Sequence, residues 1–273
     1  MEHASVRPTR KTPMVVALVV CPLVALAAAV ETVVEPDGSL HTRPVGGPKT
    51  EFTFTRLIYT ENPQFARGWG GFGSGYRWLT DAPEAETHLL QGIRRLTRID
   101  TGSEGTAVRL DDDALFDYPF LYAVEVGGWL LSEAEAARLR EYLDRGGFLM
   151  VDDFHGSLEW EGFLQSMRRV YPDRAVVEIP DSSEVWHVLY DLVDKPQIPG
   201  IYAVMNGVTY EKDGYTPHWR GIYDDQGRLA VAINFNMDLG DAWEHADNPV
   251  YPQPLTATAY RIAINYLLYS MTH

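Results

Sequence analysis

The stretch Gly146-Gly-Phe-Leu-Met-Val-Asp-Asp-Phe-His-Gly156 decides how the chain is read. Two glycines stop a helix, and Phe148 to Val151 follow as an unbroken apolar run. That run is too short for a helix and suits a central parallel strand. Asp152, Asp153 and His155 then arrive together at the carboxyl end of the strand, where open α/β sheets place their ligand crevices.

Working outward, Phe120 to Val126 reads as another buried strand, followed by Gly127-Gly-Trp129. Ser132-Glu-Ala-Glu135 has the form of a capping box and opens a helix with Leu139, Tyr142 and Leu143 facing inward. Strand, helix and strand in this order predict a right-handed parallel crossover. Upstream, Phe52 to Tyr59 predicts a first strand, Thr80-Asp-Ala-Pro83 a helix start, and Thr106 to Leu110 a short second strand. Asp111-Asp-Asp113 lacks the glycine and closing glutamate of a calcium loop and is read as capping a turn at 114–116.

Downstream, a helix is expected from about Glu159 to Val170 and a strand from Ala175 to Ile179. Ser182 or Ser183 is expected to cap a short helix over 184–192, with an irregular, aromatic-rich segment over 195–220. A hairpin over 221–234 turns at Asp225-Gln-Gly227, and a last helix runs from about Leu255 to Met271. The expectation is a single α/β domain over 51–273, with a mostly parallel central sheet and a C-terminal hairpin and helix.

The N-terminus reads differently. Arg7, Arg10 and Lys11 precede the apolar run Met14–Val30, and small residues lead to Glu31. This is the layout of a secretory signal peptide over 1–29 cut after Ala29, with an uncleaved membrane anchor as the alternative. Cys21 raises a lipoprotein reading that the β-branched Val20 before it disfavours. Residues 30–50, rich in proline and glycine, read as a linker. Cys21 is the sole cysteine and lies in the leader, so the mature domain has no disulfide, thiolate nucleophile or cysteine metal ligand. The net charge is −15, and removing the three basic residues and one acidic residue of 1–29 leaves −17. Such a surface repels nucleic acid and anionic lipid, so membrane contact is expected only through an uncleaved N-terminus. The location expected is the periplasm or the extracellular face of a membrane.

Gly68-Trp-Gly-Gly-Phe-Gly-Ser-Gly-Tyr76 has five glycines but neither the lysine of a phosphate loop nor a dinucleotide fingerprint. It reads as a flexible aromatic loop.

The chain resembles the exported bacterial proteins grouped as domain of unknown function family 4159. The resemblance is carried by Phe54-Thr-Arg56-Leu-x-Tyr59, Tyr118-Pro-Phe120 and Leu139-Arg-x-Tyr-Leu143. It continues through Gly146-Gly-Phe-Leu with Asp152-Asp153, then Asn236-x-Asp238 with Trp243, and the ending Asn265-Tyr…Tyr269-Ser-Met-Thr-His273. It spans about residues 51–273. It implies a flavodoxin-like, class I glutamine amidotransferase-like three-layer sandwich and no established activity. Amidotransferase relatives place a cysteine at a sharp strand–helix turn. Here Gly127, Gly128 and Trp129 follow Val126, so cysteine-based amide hydrolysis lacks its reacting atom.

Two kinds of function fit the residues. One is non-catalytic binding of an envelope protein, glycan or peptide by exposed aromatics flanked by carboxylates, in the glycine-rich loop and near Trp219 and Trp243. That is the reading the residues favour; the alternative is hydrolysis at a carboxylate–histidine site, with a divalent metal as an option and no cofactor otherwise implied. The candidate residues are Asp152, Asp153, His155, His187, Asn236, Asp238, Asp241, Trp243 and His245, with Glu244 beside them. The bland alternative is that Asp152 caps the next segment and His155 is a loop donor. A serine hydrolase is disfavoured, because the chain has no Gly-x-Ser-x-Gly elbow.

Overall fold

The computed structural model describes residues 30–34, 40–44, 50–66 and 76–273. The expected leader over 1–29 and residues 68–75 of the glycine-rich loop lie outside these residues. Within the segment read as a linker, β1 (Val30–Val34) pairs antiparallel with β2 (Leu40–Pro44).

The main sheet has seven strands in the order β4-β3-β5-β6-β9-β8-β7. Five run parallel: β3 (Thr55–Ile58), β4 (Thr106–Arg109), β5 (Phe120–Val124), β6 (Phe148–Asp152) and β9 (Leu229–Phe235). Taken in chain order, the parallel strands lie 2-1-3-4-5 across the sheet. The hairpin partner β8 (His218–Tyr223) runs antiparallel to β9, and the two-residue β7 (Val177–Glu178) runs antiparallel to β8 and forms one edge.

The pleat sends alternate residues of β6 to opposite layers. Phe148 and Met150 join a core with Leu89 and Leu90 of α2 (Glu84–Leu96), Trp243 of α6 (Leu239–Glu244), and Ile262 and Tyr266 of α7 (Gln253–Thr272). Leu149 and Val151 join the other core, with Leu139 and Leu143 of α3 (Glu133–Asp144) and Phe163 and Met167 of α4 (Gly156–Val170). Both faces of the sheet are therefore covered, which is why its central strands read as continuous apolar runs. The short helices α1 (Pro63–Ala66) and α5 (Ile201–Met205) complete the set. Among the described residues no helix is long and apolar enough to cross a membrane.

The capping box at Ser132 and Glu135 forms as expected, and Gly146 stops α3 with a φ of 103°. Asp112 accepts from the Ala114 amide and caps the turn that follows it. Several expected elements change extent. β5 ends at Val124 because Glu125 turns left-handed, with a φ of 56°, and leads into one 3-10 turn over Val126–Gly128. α4 begins at Gly156, earlier than the apolar pattern indicates. The expected helix over 184–192 is one 3-10 turn, Glu184–Trp186. Beyond it Asn265 of α7 accepts the Leu189 and Tyr190 amides that a helix would use internally. The segment 195–220 contains α5 and the start of β8. Neither Thr80 nor Asp81 caps α2; the chain bends at Asp81, φ 64°, and enters the helix through Pro83. Trp219 and Trp243 are core residues, 7 % and 0 % exposed, so neither offers an aromatic platform for a ligand.

Candidate functional site

Three neighbouring strands end in the same way. β5 ends at Val124 and is followed by Glu125, φ 56°. β6 ends at Asp152 and is followed by Asp153, φ 50°. β9 ends at Phe235 and is followed by Asn236, φ 64°. The left-handed region is tolerable for Asp and Asn, whose short polar chains bond locally, and less so for Glu. Each such residue costs on the order of 1–3 kcal/mol unless its surroundings hold it. Here the ladders extend through the turn: Glu125 N donates to Asp152 O at 3.1 Å, Asp153 N to Met237 O at 3.1 Å, and Asn236 N to Phe154 O at 3.0 Å. Asp81 and Lys212 (φ 51°) are the only other described non-glycine residues with positive φ, and both border the same site.

The side chains at these turns are tied to one another. Asp153 Oδ1 lies 3.1 Å from His155 Nε2, and both residues are buried. His155 Nδ1 is inaccessible and makes no hydrogen bond. Burial lowers the His155 pKa to about 4, so the ring is neutral near pH 7. Glu159, in the first turn of α4, accepts the His155 amide at 2.7 Å and receives Lys212 Nζ at 2.6 Å. On the adjacent strand end, Arg77 Nη1 meets Glu125 Oε2 at 2.6 Å. Burial first, and then Asp153, still hold the Glu125 carboxyl well above the usual range. Gly127 lets α4 approach this turn, since a Cβ there would come within 2.3 Å of Glu159 Cβ. Asn236 Oδ1 accepts from Gly156 N at 2.9 Å, and its Nδ2 donates to Thr216 O at 2.7 Å, joining β9 to the start of α4.

Asp152 has a different task. Its Oδ2 accepts from Leu239 N (2.8 Å), Gly240 N (3.0 Å) and the Tyr122 hydroxyl (3.1 Å), so it caps α6, a distant helix, rather than its own turn. Its Oδ1 is buried without a partner, and burial raises the pKa to about 7 against these hydrogen bonds. Asp238 caps the same helix through Asp241 N (2.7 Å), and Asp241 Oδ2 accepts Ile201 N at 2.5 Å. Carboxylate oxygens of Asp81, Asp238 and Asp241 lie within 4.8 Å of one another. Burial and then their neighbours' negative charge push Asp81, Asp153 and Asp238 well above the carboxylate range. Glu244 rises to about 7 from its own burial and from Asp241.

An open cleft of about 390 Å³ adjoins this end of the sheet and reaches it through Gly156 and Asn236. Its apolar part is Trp160 and Phe235, whose ring centroids are 4.6 Å apart, with Arg220 4.6 Å above Trp160. Ser157 and Asp213 bond at its rim, Oγ to Oδ2 at 2.6 Å.

Of the residues singled out in the sequence, Asp152, Asp153, His155, Asn236, Asp238 and Asp241 converge on the strand ends. His245 stands to one side, its Nε2 3.6 Å from Asp241 Oδ1 and from Glu244 Oε2. His187 is elsewhere, bonded to Asp191 and to the Asp181 carbonyl. Trp243 packs against Tyr122 inside the core. Asp81, Glu125, Glu159 and the Arg77 and Lys212 cations were not anticipated. Glu125 did carry a signal, as the one charge in the apolar strand pattern Phe120 to Val126, where charge is rarely buried without function or partner.

A family model described as Domain of unknown function (DUF4159) matches residues 54–271. No curated protein matches the chain. The match covers most of the sequence, and the chain belongs to this family.

Proposed function

We propose that this DUF4159 domain is an exported envelope protein that hydrolyses a glycan or peptide, with His155, oriented by Asp153, as its general base. The observation that carries the reading is this hydrogen-bonded pair at the end of a central strand. It is held in a left-handed turn between two others, where strained residues and shifted pKa values gather at working sites. One proton is shared between Asp153 Oδ1 and His155 Nε2. With that proton on Nε2, Nδ1 can take one from water, and the hydroxide so formed attacks the scissile centre while a protonated carboxyl donates to the leaving group. Glu125, whose carboxyl burial and then Asp153 hold well above the usual range, is the candidate for that donation once its pairing with Arg77 opens. The parallel-strand order 2-1-3-4-5 agrees with an amidotransferase-like relationship, with Glu125 at the turn where such enzymes carry cysteine. Asp153 and His155 are buried, with Lys212 bonded to Glu159 beside them, so turnover requires an opening that admits water and substrate.

A second reading, binding without chemistry, is favoured by the cleft, because it is open and pairs aromatic faces with polar groups as sugar sites do. Both readings are tested by assaying the chain against glycan and peptide panels, with thermal shift in parallel. The hydrolytic reading expects turnover that D153N or H155A lowers by about 10²–10⁴-fold. Turnover unchanged by both variants sinks it, and a thermal shift without turnover favours the binding domain.

A further inference from the structure

We infer that Asp81, Asp238 and Asp241 form a binding site for one hard divalent cation, of the calcium or magnesium class, that clamps the bend before α2 to the start of α6. The inference stands apart from the hydrolytic reading, since cation binding requires no turnover.

The three carboxylates come from two separate parts of the chain, and their oxygens lie within 4.8 Å of one another, the spacing at which a single ion can be shared. Backbone amides already orient two of them. Asp238 uses Oδ1 for the Asp241 amide, which leaves its Oδ2 for a ligand, and Asp241 uses Oδ2 for the Ile201 amide, with its Oδ1 3.6 Å from His245 Nε2. Asp81 supplies the independent sign of a missing partner. Asp81 is half-buried, and its Oδ2 is inaccessible and makes no hydrogen bond. That oxygen lies against Gly240, where a Cβ would come within 2.2 Å of it, so the helix start is shaped to receive it. The fully buried Asp152 leaves a second oxygen, Oδ1, unpartnered while capping that same turn.

The nearby cations are committed elsewhere: Arg56 to Glu86, Arg77 to Glu125 and Lys212 to Glu159. A Glu211 oxygen also approaches, since a Cβ on Gly200 would meet Glu211 Oε1 at 2.7 Å, Asp238 Oδ2 at 2.8 Å and Asp241 Oδ2 at 3.0 Å. All-oxygen donors with no sulfur and no imidazole in the trio select hard ions, with water completing the shell. Asp241 also belongs to a second group of the same spacing, with Glu244 and His245, which brings a nitrogen donor and would suit a softer ion.

The test uses the full chain, stripped with chelator and desalted, then titrated with calcium, magnesium or manganese by calorimetry and followed by thermal unfolding. One ion should bind per chain and raise Tm. D81N, which breaks no hydrogen bond seen in the structure, should weaken binding at least about tenfold while leaving the circular dichroism spectrum unchanged. H245A and H155A should bind as the native chain does. Absence of heat and of a Tm shift with all three ions at millimolar concentration overturns the inference, as does an undiminished response in D81N. Loss of binding in H245A moves the ion to the Glu244 group and likewise overturns it. Cation binding without hydrolysis upholds the site and counts only against the catalytic reading.

Discussion

Arg56 and Glu86 form a two-pronged buried ion pair, with Nε to Oε1 at 3.0 Å and Nη2 to Oε2 at 2.7 Å. The pair ties β3 to α2, and the remaining Arg56 nitrogen donates to the Trp78 and Thr80 carbonyls at 3.2 and 2.8 Å. One guanidinium therefore fixes the chain immediately before Asp81. Removing one partner strands the other charge in the core, which costs about 3–5 kcal/mol. R56M should lower the urea unfolding free energy by that amount, and a loss below about 1 kcal/mol would contradict the argument.

Gly127 is the close-contact point between the turn after β5 and α4. In G127A the new methyl meets Glu159 Cβ and Cγ, with Glu159 Cα at 3.0 Å, so side-chain rotation alone does not clear it. Overpacking of this kind costs about 1–3 kcal/mol. The expected result is a lower denaturation midpoint with an unchanged m-value.

At Asp153 the backbone and the side chain can be separated. Glycine accepts the left-handed turn freely, whereas valine does not. D153G should stay within about 1 kcal/mol of the native chain, and D153V should lose about 2 kcal/mol more than D153G. Both remove the bond to His155, so both should lose whatever activity the native domain shows. Equal stability of the two variants in chemical denaturation would remove the case for backbone strain.

Two buried groups give pH effects of opposite sign. The fold raises Asp152 to about 7, so between roughly pH 4 and 7 the folded chain holds the extra proton and stability falls as pH rises. It lowers His155 to about 4, so between 4 and 6.5 the unfolded chain holds the extra proton and stability rises with pH. Each window spans up to about 3–4 kcal/mol at 1.4 kcal/mol per pKa unit. Relative to the native chain, D152N should make the unfolding free energy fall less from pH 4 to 7, and H155Q should make it fall more. Denaturation series at pH 4.5, 5.5 and 7 decide the matter, and parallel curves for all three proteins would refute both assignments.

The central crossover was legible because β5, β6 and α3 each carry a local signal: unbroken apolar runs, a capping box and a stop at Gly146. Asp152, Asp153 and Asp238 were legible for a related reason, since polar residues that end a buried run have few places to go other than the strand-end crevice. Asp81 was not, because its pattern beside Ala82 and Pro83 is also that of a helix start. Its role depends on Arg56, distant in sequence, and on Gly240 near the far end of the chain. Glu125 was read as part of a strand because no local rule foretells a left-handed glutamate. Its pairing with Arg77, its backbone bond to Asp152 and the packing of Gly127 on Glu159 make that conformation tenable. The tryptophans misled in the other direction, since segments without periodicity can still deliver their aromatic rings to a core.

The two margins of the sheet bear on how these molecules meet. On one side β7 is only two residues long, and its Glu178 is engaged by Arg220 (2.8 Å) and His218 (2.7 Å) from the neighbouring strand. On the other, β4 is four residues long and carries the charged Arg109. A foreign strand arriving at either border finds few backbone groups to pair with and a charged side chain beside them. The domain is thus poorly suited to joining others by extending its sheet, and assemblies that include it would have to be built through faces and loops.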